Sequence, residues 1–237
     1  IKNLKTKNYF TYGFHKDSNY QICNTKYKIN FTKFDLKIKN VGSQNMYIKN
    51  ILLNLIGKHN IYNATAAISL CLNLGLKENV IKKALKNFSG VQRRLTKVFT
   101  KNKIEFYDDY AHHPTEIESV LEGIRFVAPK RKIISVFQPH RYSRIKSLKS
   151  EFASCFKNSD VVILCPIYAA GESSDKTYNE KKFARMISKF SKTQVVLIEN
   201  ENDLTKYFKK NLIKDEIVIG MGAGSISKWM NNLRNTL

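Results

Sequence analysis

The chain has 237 residues and is 43% apolar, which suits one large or two ordinary domains with real cores and excludes a disordered polymer. It carries no signal-like amino terminus and no apolar run approaching about 18 residues, so secretion and membrane spanning lack support and a cytoplasmic location is expected. Forty-one Lys and Arg against nineteen Asp and Glu give a net charge of +22, a balance that favours anionic partners. The lysines are nevertheless spread along the whole chain without a clustered footprint, so a solvated basic surface is expected rather than nucleic-acid binding.

In chain order, the first stretch is short, alternating and turn-punctuated. Tyr9 to Phe14, Tyr20 to Cys23, Tyr27 to Phe31, Phe34 to Ile38 and Met46 to Ile48 suit strands of an antiparallel or mixed sheet, and Ile51 to Leu55 extends the last apolar run up to Gly57. The segment from Gly57 to about Asn73 is rich in Ala and Leu and predicts a helix. Asn60 and Asn63 share one face at its amino-terminal end, either as ligand-facing amides or as a cap and a surface residue. Glu78 to Phe88 predicts a second helix with Val80, Ile81, Ala84 and Leu85 on its apolar side. Ser89 to Leu95 breaks the pattern, which divides the chain into 1–89 and 90–237.

Beyond Lys97 strands and helices alternate. Ile104 to Asp108, Lys132 to Phe137, Asp160 to Cys165, Gln194 to Ile198 and Glu216 to Ile219 suit strands; Thr115 to Val127, Ser143 to Phe156, Asn179 to Phe190, Asn202 to Lys210 and Ser225 to Leu233 suit helices. Such alternation predicts an α/β fold with a doubly wound, mostly parallel sheet, whose strand-end loops share one rim. Cys23, Cys71, Cys155 and Cys165 form no metal-spaced pair and read as small core residues.

Four of those loops carry the suggestive residues. Asp108-Asp109-Tyr110-Ala111-His112-His113-Pro114-Thr115-Glu116 packs carboxylates and imidazoles where a strand hands over to a helix. A metal site there is disfavoured, because adjacent side chains in extended chain point apart and no second cluster supplies further ligands. Arg141 and Arg144 stand three apart at a helix start, able to grip one carboxylate or phosphate, or simply to be solvated. Tyr168-Ala169-Ala170-Gly171-Glu172 is a weaker signal. Gly220-Met221-Gly222-Ala223-Gly224-Ser225 resembles half of a dinucleotide fingerprint, but position 227 is Ser and too little chain follows, so close strand-to-helix packing is the expected role. No G-x-x-x-x-G-K-[ST] occurs anywhere in the 237 residues.

Taken together, Gly57-Lys-His-Asn-Ile-Tyr-Asn-Ala, Gly90-Val-Gln-Arg-Arg, Asp108-Asp-Tyr-Ala-His-His-Pro-Thr-Glu, Phe137-Gln-Pro-His-Arg-Tyr-Ser-Arg, Tyr168-Ala-Ala-Gly-Glu and Gly222-Ala-Gly resemble, in order and spacing, the alanine-adding branch of the Mur ligase family. Even Thr11-Tyr-Gly-Phe is similar to a piece of that family's central domain. The resemblance implies that residues 1–89 end a central ATP-binding domain and that 90–237 form a complete Rossmann-like C-terminal domain. It also implies a longer enzyme whose P-loop lies upstream, in keeping with a chain that begins at Ile1. The implied activity joins L-alanine to UDP-N-acetylmuramate in peptidoglycan synthesis: ATP phosphorylates the muramate carboxylate, and the alanine amine displaces phosphate. Magnesium assists, with its ligands expected upstream.

By the same resemblance, Asn60 and Asn63 face the adenine, Arg94 reaches the ATP phosphates, and Asp109 holds the ribose hydroxyls. Tyr110, His112, Arg141 and Arg144 surround L-alanine, with Arg94 and His112 closest to catalysis, while His113 and His140 orient loops. Ala111 stands where the family usually has Gly, which would add a methyl beside a small substrate, and Ser225 stands where Asp or Asn is common. Two alternatives remain open: a basic nucleic-acid-binding module, and a related Mur-type ligase adding another residue.

Overall fold

A computed structural model of the chain describes residues 9–28, 31–41, 45–88 and 90–237. Two compact units result, Ile1–Gly90 and Val91–Leu237. The first is a four-stranded sheet covered on one face by two helices. Its strands β1 (Tyr12–Gly13), β2 (Tyr20–Lys28), β3 (Phe31–Ile38) and β4 (Met46–Leu53) lie in chain order, the first pair parallel and the others antiparallel. Helices α1 (Lys58–Asn73) and α2 (Glu78–Asn87) set Ile61, Ala64, Ile68 and Ile81 against Tyr20, Ile22, Phe34, Leu36 and Ile48.

The strands differ from the sequence expectation in bounds rather than in kind. Asn24, at φ 50°, opens a bulge between Cys23 and Lys26, so one strand runs where two short ones were expected. Of the expected strand Tyr27 to Phe31, residues 29 and 30 lie outside the described set, as does Ser89 at the expected boundary. Asn50, at φ 57°, likewise lets β4 absorb both Met46–Ile48 and the apolar run after it.

The second unit holds a six-stranded sheet in the order β5-β6-β10-β7-β8-β9. Strands β6 (Ile104–Asp109), β7 (Ile133–Phe137), β8 (Val161–Leu164), β9 (Gln194–Leu197) and β10 (Ile217–Met221) are parallel, and β5 (Thr96–Lys101) is antiparallel at one edge. Helices α7 (Glu201–Asn211) and α8 (Ile226–Thr236) cover one face, where Leu204, Phe208, Met230 and Leu233 join Phe106, Ile134, Val136, Ile163 and Val218. The opposite face receives α3 (Pro114–Val127), the short helices α4 (Tyr142–Ser147) and α5 (Lys149–Ser154), and α6 (Glu180–Ser191); there Phe137 packs on Phe152 and Phe156, and Phe152 on Phe183. The fold is thus the doubly wound α/β sheet that the alternation predicts. Among the described residues, no helix is long and apolar enough to cross a membrane.

Strand β10 sits between β6 and β7, with Met221 in register with both Asp109 and Phe137. The loops leaving β6 and β7 lead to helices on one face, whereas the loop leaving β10 leads to α8 on the other. Connections that diverge from neighbouring strands mark the carboxyl rim as the switch point where open α/β sheets bind ligands.

Candidate functional site

The rim is built from the strand ends upward. The two aspartates that finish β6 go to different partners. Asp108 accepts from Ser227 Oγ on α8 at 2.5 Å and lies 3.6 Å from Arg93 Nε. Asp109 accepts from Leu95 N and Ala111 N, each at 2.7 Å, and is only 3% exposed. Burial raises the Asp109 carboxyl from 3.8 to about 6, with the two amide hydrogen bonds and the Arg94 charge opposing the rise. Burial also raises Asp108, countered by Ser227 and Arg93.

Those bonds tie the strap Arg93–Leu95 onto the rim. Arg93 Nη2 donates to Gly222 O, Arg93 O accepts from Tyr110 N at 2.7 Å, and the Arg93 guanidinium lies 4.8 Å from the centre of the Tyr110 ring. Both Arg93 and Leu95 take positive φ, 60° and 48°, a twist that turns Arg94 outward into solvent beside the same ring at 6.0 Å.

Past Tyr110 the chain is locked by a helix cap. His113 is the N-cap of α3, Pro114 its first residue, and Glu116 reaches back to accept from His113 N at 3.2 Å and His112 N at 3.0 Å. His112 Nδ1 sits 2.9 Å from Tyr110 O, which accepts its proton and leaves Nε2 as the free acceptor. A row of rings then runs along the rim: Tyr110 to His112 at 5.1 Å, His112 to His140 at 5.6 Å, and His140 stacked on Tyr168 at 5.8 Å.

His140 belongs to the loop after β7. Its Nδ1 accepts from Arg144 Nη1 at 3.0 Å, because a guanidinium only donates, so the proton of this ring rests on Nε2. Burial first, and then the Arg144 charge, hold its pKa below the usual value, so it is neutral and orients Arg144. Arg141, exposed and at φ 73°, is the N-cap of α4, and Ser143 of that helix is held by the Glu172 carboxylate. Expected site residues Arg94, Tyr110, His112, Arg141 and Arg144 therefore cluster on neighbouring rim loops, with Asp109 buried beneath them. Asn60 and Asn63 belong to the first unit, in the first two turns of α1; Asn63 is exposed and Asn60 Nδ2 donates to Ile56 O at 2.7 Å.

The glycine-rich loop after β10 serves close packing. A Cβ on Gly224 would lie 2.5 Å from the Tyr168 ring and one on Gly222 2.8 Å from Gln138 O, while Gln138 Oε1 accepts from Ile226 N at 3.0 Å and its Nε2 donates to Ser225 Oγ at 3.0 Å. Ala111 corrects one expectation: it is fully buried, so its methyl enters the core under the loop instead of lining a pocket. Sequence reasoning gave no role to Arg93, Gln138 and Ser227: the first two sit inside recognised motifs and Ser227 just past one, but their partners Gly222, Ile226 and Asp108 lie far away in the chain.

Chemically, the arrangement offers two guanidinium groups, one imidazole with an available Nε2, and a phenol, flanked by a further arginine. That set suits an anionic small molecule. Among the described residues no group of three or more His, Cys, Asp or Glu is placed to hold a metal.

The family model for the Mur ligase, glutamate ligase domain matches residues 93–224. A UDP-N-acetylmuramate--L-alanine ligase of Pelagibacter ubique (strain HTCC1062) is 48% identical over 233 residues, covering 98% of this chain and 50% of that protein. One from Agrobacterium fabrum (strain C58 / ATCC 33970) is 34% identical over 238 residues, covering 100% of this chain and 50% of the relative. The chain thus spans about half the length of the curated relatives it matches. Among solved structures, a UDP-N-acetylmuramate-alanine ligase from Thermotoga maritima superimposes with a TM-score of 0.76 at 24% identity, over 95% of this chain and 47% of that one. A pseudomurein peptide ligase type C from Methanothermus fervidus does so with a TM-score of 0.64 at 23% identity, over 92% and 42%. Both structures share the fold.

Proposed function

The chain belongs to the Mur ligase family, by the match over residues 93–224, and on that premise we propose that it is the carboxy-terminal portion of an ATP-dependent ligase joining L-alanine to UDP-N-acetylmuramate in peptidoglycan synthesis. The observation that carries this reading is the placing of Arg141 and Arg144 at the start of α4, beside the row Tyr110, His112, His140 and Tyr168. The names of the relatives at 48% and 34% identity supply the substrates.

In this reading the arginines hold the alanine carboxylate, and that grip leaves the amine free to attack an acyl phosphate made from ATP and the muramate carboxylate. Tyr110 and His112 wall the amino acid, and Nε2 of His112 is the acceptor available for a proton from the amine. Arg94, exposed on its strap, reaches the ATP phosphates. Asn60 and Asn63 address the adenine. Asp109 serves the ribose side partly through its own oxygens and partly by fixing the strap and the Tyr110 loop, since both oxygens already accept backbone N–H groups. Magnesium would be held by residues outside this chain, the reaction belongs in the cytoplasm, and residues 1–89 belong to the ATP-binding domain.

Equilibrium dialysis against labelled amino acids tests the reading. L-alanine should be retained over glycine, D-alanine and D-glutamate; preference for another member of that panel points to a different Mur-type ligase, and retention of none overturns the amino-acid site. With ATP, magnesium and UDP-N-acetylmuramate added, no phosphate should appear above background, because the chain has no P-loop.

A further inference from the structure

Helix α4 has only six residues, and its N-cap is Arg141, which at φ 73° makes no side-chain cap of its own. A helix start normally takes an oxygen from its N-cap side chain onto the amide of the second or third residue. Here that oxygen comes from another loop. Glu172 Oε2 accepts from Ser143 N, the second residue of α4, at 3.1 Å, and its Oε1 accepts from Ser143 Oγ. The flanking contacts come from the same loop: Arg141 N donates to Tyr168 O at 3.0 Å, Tyr168 N donates to Pro139 O at 2.8 Å, and the Tyr168 ring stacks on His140, the acceptor of Arg144.

The loop is shaped for that delivery. Ala170 and Gly171 both take left-handed φ, 51° and 86°, and Glu172 N closes the turn onto Ala169 O at 3.1 Å. L side chains resist this conformation, so Ala170 holds it only because the turn is fixed at both ends. Ser143 lies between the two arginines in sequence, which means that the bond made by Glu172 sets the backbone from which both guanidinium groups project.

We propose that Glu172, presented by the Tyr168–Glu172 turn, is the positioning residue for Arg141 and Arg144. The proposal rests on the reading of these arginines as the carboxylate grip. It gives the Tyr-Ala-Ala-Gly-Glu stretch a role that composition and spacing did not reveal: a clamp that preorganises a pair of long, otherwise mobile side chains before a small amino acid arrives.

The test uses the nitrogen-15-labelled chain as wild type, Glu172→Ala and Glu172→Gln, with amide exchange at Ser143 and an L-alanine titration as separate readouts. Glu172→Ala should speed Ser143 exchange, weaken L-alanine about tenfold and shift the urea midpoint only slightly, leaving the chain folded under the conditions of the titration. Glu172→Gln, which keeps an acceptor oxygen, should recover most of both losses. Wild-type exchange and affinity in Glu172→Ala overturn the proposal, and so does a loss of affinity that only follows a loss of stability. A wild-type chain that ignores L-alanine while Ser143 exchange still rises in Glu172→Ala removes the alanine reading and leaves the clamp standing.

Discussion

Asp109 shows how much of a rim carboxylate's work is structural, since both of its oxygens accept backbone amides, from Leu95 and Ala111. Its burial favours the protonated form in the folded state, where the group titrates near 6 instead of 3.8. The folded chain therefore binds the proton more tightly than the unfolded chain, and this contribution to stability is complete below about pH 4 and lost as pH rises through about 6. Full ionisation costs about 3 kcal/mol on this basis. Glu105, Glu116 and Glu172 have lowered values and act in the opposite direction, so the whole-protein profile mixes the two signs. The Asp109→Asn variant isolates the effect: the stability of wild type minus that of the variant, from urea unfolding, should decline between pH 4 and 7, and a difference that grows across that range would contradict the assignment. The sequence made the two aspartates conspicuous and suggested that neighbours in extended chain diverge. It carried no sign that one would be committed to Leu95 and Ala111 and the other to Ser227, because those partners are fixed by how the sheet and α8 come together.

At the scale of elements, the glycines around β10 set how closely the chain packs. A Cβ on Gly220 would lie 2.3 Å from Met230 Cγ, and Met230 is itself fully buried, so α8 has little room to retreat. Gly220→Ala should cost about 1–3 kcal/mol of stability by overpacking. In a double-mutant cycle Met230→Ala should absorb part of that cost, giving a favourable coupling energy. A Gly220→Ala variant that unfolds at the wild-type urea concentration would show that the contact is slack. Most elements were legible from periodicity, since α3, α6, α7 and α8 each bury one face and β7, β8 and β10 are short, mostly apolar runs buried throughout. Strand β5 was missed. It is a largely exposed edge, held by the stack of Phe99 on Phe106 at 4.1 Å, and its hairpin turns on Asn102 and Lys103, both at positive φ, without the glycine that usually marks such a turn. The break between α4 and α5 at Leu148 was equally hidden, because the apolar positions continue across it.

For the whole molecule, strand order was the information furthest from reach. Fully buried parallel strands look alike in sequence, and nothing local says that the last of them, β10, inserts between β6 and β7. Yet that insertion brings the loops after β6, β7 and β10 together at one rim. Most of the motifs that resemble the family lie in these loops, in the loop after β8, on the strap before β5 and in α1, which is why a functional reading was available before the topology was. The net charge of +22, by contrast, describes a surface and not a site.

The central claim is that the rim loops of the second unit grip L-alanine through Arg141 and Arg144. An NMR titration of the 237-residue chain with L-alanine, repeated with Arg144→Ala, tests it most directly. The account predicts saturable shifts confined to residues 108–113 and 138–144, lost in Arg144→Ala while the rest of the spectrum is retained. Shifts that do not saturate, that fall elsewhere, or that persist unchanged in Arg144→Ala would contradict it.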